Sequence, residues 1–104
     1  MYFSNRSPRE EYQRVIERKR RDVVRWISEK CDGTERYNLA VTNDGIGLRV
    51  AFQSIRAKEL LSRLHKEVFS PGFEMVGLTL NEQGVWSAWF GYSEPLPSPH
   101  YVFA

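Results

Sequence analysis

Two stretches of helical periodicity, each followed by two alternating stretches, predict an α+β fold. It is expected to be a two-layer sandwich with the element order αββαββ. Each alternating pair is split by a turn signal, Asn43-Asp44-Gly45 in the first and Asn81-Glu82-Gln83-Gly84 in the second. Both helices would pack on one face of a four-stranded, largely antiparallel sheet, and a proline-rich tail would follow. With 104 residues, 41% apolar and 13% aromatic, the chain is long enough for one true core. That domain is expected over residues 1–92 and the extended tail over 93–104.

The first helix is expected over 8–31. Ser7, Pro8 and Glu10 form a helix start with a capping box, and Asp32-Gly33 supplies the stop. Tyr12, Val15, Ile16, Val23, Trp26 and Ile27 make an apolar stripe, with Val24 and Cys31 at its edge. Lys19 and Lys30 point along that stripe, stems on the core and charges toward water.

Arg14, Arg18, Arg21 and Arg25 stack on the opposite face. The pairs Glu10–Arg14, Glu17–Arg21, Arg18–Asp22 and Arg25–Glu29 are each four apart, which suits a solvated face stitched by ion pairs. The same face also suits an acidic protein surface or phosphates. The helix carries eight Lys/Arg against five Asp/Glu, while the whole chain is only +2, so the excess positive charge sits here. The run Arg18-Lys19-Arg20-Arg21 has the composition of a nuclear-localisation signal, a common pattern.

A β-hairpin follows over 35–53, with Tyr37, Leu39, Val41, Ile46, Leu48, Val50 and Phe52 toward the core. Ser54 is expected to cap a second helix over 55–69, whose stripe is Ala57, Leu60, Leu61, Leu64 and Val68. His65 flanks that stripe without a second ligand nearby, and reads as a packed or surface histidine. A second hairpin spans 73–92. Strict alternation assigns Val76, Leu78, Leu80, Trp86, Phe90 and Tyr92 to the packed face, and Met75, Gly77, Thr79, Ser87, Trp89 and Gly91 to the free one. Strand order is not readable from these patterns.

Pro95, Pro97 and Pro99 favour an extended tail, which carries the apolar tip His100-Tyr101-Val102-Phe103. The free face is small, nearly uncharged and bears Trp89, Met75 and Arg49. A solvated sheet face normally carries many charges, so a cover is expected: the tail, a second copy, a protein partner or stacked bases.

Catalytic signatures are not found. Gly45-Ile46-Gly47 lies in a hairpin rather than before a helix, no Cys/His group has zinc spacing, and His65 and His100 belong to no triad pattern. No cofactor or metal is expected. The single cysteine, Cys31, fits a reducing compartment and core packing. The chain shows neither a signal-peptide pattern nor a run of about 20 apolar residues, so a cytoplasmic or nuclear, non-secreted protein that enters no membrane is expected.

The leading expectation is a small non-enzymatic regulator that binds another protein, or itself, as an inhibitor, adaptor or assembly factor. Trp89, Met75, Arg49, Tyr101 and Phe103 would form the partner surface. Arg14, Arg18, Arg21 and Arg25 would meet an acidic partner or, in the alternative, nucleic acid. A third expectation is a small-molecule or enzymatic pocket on the free sheet face.

Overall fold

Turn chemistry sets both hairpins. In the computed structural model, which describes residues 8–33 and 35–94, Asp44 accepts hydrogen bonds from the Thr42 hydroxyl and, at 3.1 Å, from the Ile46 N–H. Gly45 follows at φ 77°, in the left-handed region that only glycine enters freely. Asn81 does the same work in the second hairpin. Its Oδ1 accepts from the N–H groups of Gln83 (2.9 Å) and Val85 (3.0 Å).

These turns join β1 (Arg36–Val41) to β2 (Gly47–Gln53), and β3 (Phe73–Leu80) to β4 (Trp86–Tyr92). The two hairpins zip together through their inner strands, giving the antiparallel order β1-β2-β4-β3. β2 and β4 are therefore central, and β1 and β3 are edges. Helix α1 (Pro8–Lys30) precedes the first hairpin and α2 (Ala57–Leu64) links the two, continuing into a π-helical turn (His65–Phe69). The predicted α+β class and element order are those observed.

The core lies between the helices and the central strands. Leu48, Val50 and Phe52 of β2 and Phe90 and Ala88 of β4 have no exposure. Against them pack Ile16, Val23, Trp26 and Ile27 of α1, Leu60, Leu61 and Leu64 of α2, and Phe69. Phe69 is stacked on Phe90 with ring centroids 3.9 Å apart. The π turn, closed by Ser70 N–H donating to His65 C=O at 2.8 Å, is where the chain swings Phe69 inward. Lys19 does more than send its charge to water. Its ammonium donates to the Val68 carbonyl at 2.7 Å and lies 5.6 Å from the Phe73 ring centre.

Three expectations are corrected. The second helix starts at Ala57 rather than residue 55, with Arg56 at its N-cap. Ser54 instead braces the preceding turn, its hydroxyl accepting from Arg56 N–H at 3.0 Å. Glu17–Arg21, Arg18–Asp22 and Arg25–Glu29 do not pair. The helix forms i,i+3 contacts instead, Arg20–Glu17 at 3.7 Å and Lys19–Asp22 at 3.9 Å. Strict alternation fails in β3, where a bulge at Val76 shifts the register between Met75 and Gly77. Phe73 and Met75 thus join Leu78 and Leu80 on the helix-facing side, opposite Tyr92, Phe90, Ala88 and Trp86. Met75 packs on the core, not on the free face, and Val76 is 68% exposed instead of packed. The Ser7 cap lies outside the described residues.

Candidate partner-binding groove

The helices cover the central strands fully and the edges only in part. On β1, Tyr37 is 45% and Val41 49% exposed although both face the helix layer, and Val24 of α1, across the groove from Tyr37, is 41% exposed. Between α1 and β1 runs a groove in two adjoining halves that share Glu17. One half, of about 1220 Å³, lies between the first turns of α1 and the β1–β2 turn. The other, of about 700 Å³, lies between Arg20, Arg21, Val24, Arg25 and Ser28 of α1 and Tyr37, Asn38 and Leu39 of β1.

The groove's floor is a strand edge that has no partner strand among the described residues. Thr42 N–H donates to Gly47 C=O at 3.0 Å, so Thr42 faces β2 with its backbone. The ladder alternates, so the N–H and C=O groups of Ala40 and Asn38 also face β2, and those of Val41, Leu39 and Tyr37 face outward. β1 holds its register with β2 over all six residues without a bulge and contains no proline. The opposite edge differs. β3 exposes Val76, Leu78 and Leu80, but its bulge breaks the regular outward ladder.

Electrostatics distinguish the groove's two halves. In the Tyr37 half, Arg20 pairs with Glu17, while the guanidinium groups of Arg21 and Arg25 make no hydrogen bond or ion pair among the described residues. In the other half Arg9 and Arg14 stand beside Glu10, Glu17 and Asp44. Hydrogen bonds from the Thr42 hydroxyl and the Ile46 N–H hold the Asp44 carboxyl below its ordinary pKa, so it is a fixed negative charge at that end.

Of the four arginines singled out in the sequence, Arg14, Arg21 and Arg25 line this groove, whereas Arg18 does not. The sequence reading missed Arg20, Val24, Tyr37 and Val41 as surface residues. Val24, at the margin of the apolar stripe, was the one visible hint. The exposure of Tyr37 and Val41 depends on β1 being an edge.

Trp89 and Arg49 lie on the free sheet face as expected, and are cross-strand partners. Part of the cover sought for this face is its own. The Trp89 ring lies across Gly77, where an added Cβ would stand 3.3 Å from Trp89 Cε3. Arg49 reaches over to Asn38, donating to its Oδ1 at 3.0 Å, while its buried Nε is left without a partner. A trough of about 680 Å³ remains beside Trp89, floored by Gly47, Gly77 and Gly91 and walled by Val76 and Thr42. Tyr101 and Phe103 lie outside the described residues.

No group of three or more metal-binding side chains occurs among the described residues. Cys31 is half-buried, and burial first, then the Glu35 charge, raises its thiol pKa, which disfavours the reactive thiolate. No helix among the described residues is long and apolar enough to cross a membrane. No protein-family model matches this chain, nor does any curated protein or solved structure.

Proposed function

We propose that this chain is a non-enzymatic regulator that binds another protein in the groove between α1 and β1. The observation that carries this reading is the pairing of an unblunted strand edge with half-exposed Tyr37 and Val41 on β1 and half-exposed Val24 on the helix above. Exposed, regular edges are normally protected, and grooves with apolar walls and an arginine lip have the make-up of interface centres. The free face becomes the secondary surface, because Trp89 and Arg49 already spend much of their contact area within it.

Nucleic acid is the second reading, favoured by the guanidinium groups of Arg18, Arg21 and Arg25, none of which pairs among the described residues. A phosphate backbone is charged at every residue and would have to run past Glu10 and Asp44 in the other half of the groove as well, which weighs against it.

Site-specific photo-crosslinking separates these surfaces. A benzophenone side chain placed at Val24 is expected to form discrete adducts with one protein in an extract of the source cells. Introducing Val41→Asp should abolish them. Adducts from a probe at Thr79 on the free face alone would move the site to Trp89. Adducts from neither position would end the protein-binding reading.

A further inference from the structure

We infer that the groove takes one extended, acidic segment of a partner protein, which adds to β1 as a fifth strand under α1. The inference rests on the groove being a protein-binding site, and adds the conformation and charge of the occupant.

The conformation follows from the backbone. The outward N–H and C=O groups of Tyr37, Leu39 and Val41 repeat at every second residue, the spacing that only an extended chain matches. The regular edge is about 20 Å long, from six residues at about 3.4 Å each. A helix docked there would leave these groups unpaired. β3 cannot take the segment on equal terms, because its ladder is interrupted at Val76.

The charge follows from the helix. A fifth strand would stand about 4.8 Å beyond β1, in the space walled by Arg20, Arg21, Val24 and Arg25. Its helix-facing side chains would meet Tyr37 and Val41 from β1 and, from α1, Val24 with the guanidinium groups of Arg21 and Arg25, which make no pair among the described residues. Aliphatic or aromatic side chains interspersed with Asp or Glu satisfy both. A second copy of this chain fits poorly. Edge-to-edge pairing of two β1 strands would bring the arginine lips of both copies to one seam, where like charges repel.

The test is fluorescence anisotropy on the full chain with three labelled ten-residue peptides: one with two valines and two glutamates in turn, so that both residue types fall on each face of the strand, the same with lysine for glutamate, and the glutamate peptide N-methylated at every amide. The glutamate peptide is expected to bind, and the other two to bind at least about tenfold more weakly. Combined Arg21→Glu and Arg25→Glu should weaken it by a similar factor without altering the circular dichroism spectrum, since both side chains are exposed. Equal binding of the N-methylated peptide, or indifference to the arginine reversals, would overturn the inference. So would a concentration-dependent dimer, dispersed by Val41→Pro, that excludes the peptide. Val24 adducts without glutamate-peptide binding would overturn this inference and leave the groove reading standing. Loss of the Val24 adducts as well would end both.

Discussion

The indole N–H of Trp26 donates to Glu67 Oε1 at 2.9 Å, tying α1 to the π-helical turn after α2. Arg63 completes the cluster. Its Nε donates to Glu67 Oε2 at 3.1 Å and its guanidinium lies 5.7 Å from the centre of the Trp26 ring. The Trp26 hydrogen bond first, and the Arg63 hydrogen bond second, hold the Glu67 carboxyl below the ordinary glutamate pKa. Folding favours the ionised form, so its stabilising contribution is complete above about pH 4.3 and is lost as pH falls through the lower native value. The Trp26 indole proton should therefore titrate in two-dimensional NMR only below about pH 4.3. Glu67→Gln should remove that titration, and an indole shift that stays flat down to about pH 2 would refute the link.

Phe69 anchors the π turn. Its ring lies parallel to Phe90, 7° between planes, and meets Phe73 at 5.3 Å. Truncating a fully buried phenylalanine costs about 3–5 kcal/mol. Phe69→Ala should lower unfolding stability by that amount in urea titrations. It should also release the turn, seen as faster amide exchange at Ser70, whose N–H closes the π hydrogen bond. Slow exchange retained at Ser70 would mean the turn holds without the ring.

What the sequence disclosed and what it withheld divide along physical lines. Periodicity reports a local dihedral repeat, so α1, the two hairpins and the buried faces of β2 and β4 were legible from Val23, Trp26, Leu48, Val50 and Phe90. The turns were legible because Asp44 and Asn81 bond their own neighbouring backbone. Strand order is a long-range choice between hairpins, and the groove exists only because that choice leaves β1 at an edge. No local pattern around Tyr37 or Val41 could reveal it. The bulge at Val76 was hidden for a different reason. Phe73 and Met75 are out of phase with Leu78 and Leu80, and either phase looks like an ordinary strand until β4 selects between them. Likewise, the spacing of acids four residues before or after arginines on α1 was compatible with pairing but did not compel it.

Gly47 and Gly77 both lie under close neighbours, yet replacing them should have opposite consequences. A Cβ at Gly47 would stand 2.6 Å from the Phe90 carbonyl oxygen, a backbone atom of a central strand that cannot move aside. Gly47→Ala should cost about 1–3 kcal/mol, the range for forced overpacking. At Gly77 the neighbour is the Trp89 ring, which has solvent on one side and is free to swing away. Gly77→Ala should leave stability within about 0.5 kcal/mol and shift Trp89 fluorescence to the red, measured with Trp26 and Trp86 replaced by Phe. A large loss of stability at Gly77 would mean that the ring is locked in place.

Deleting Val76 should be tolerated, an unusual expectation for a strand. The bulge places one extra residue between Met75 and Gly77, and Val76 is mostly exposed at 68%. Without it, Phe73, Met75, Leu78 and Leu80 fall on every second position of a regular strand, all facing the helices as they already do. Deleting Thr79 instead keeps the bulge and turns Leu80 from the helix-facing side to the free face. The Val76 deletion should therefore unfold cooperatively within about 1 kcal/mol of the parent, and the Thr79 deletion should lose more. Removing the bulge should also restore a continuous outward ladder on β3, giving this edge the regularity that β1 has now. Size-exclusion chromatography of the Val76 deletion is then expected to reveal concentration-dependent association that the parent lacks. A monomer at every concentration would show that the bulge does not guard that edge.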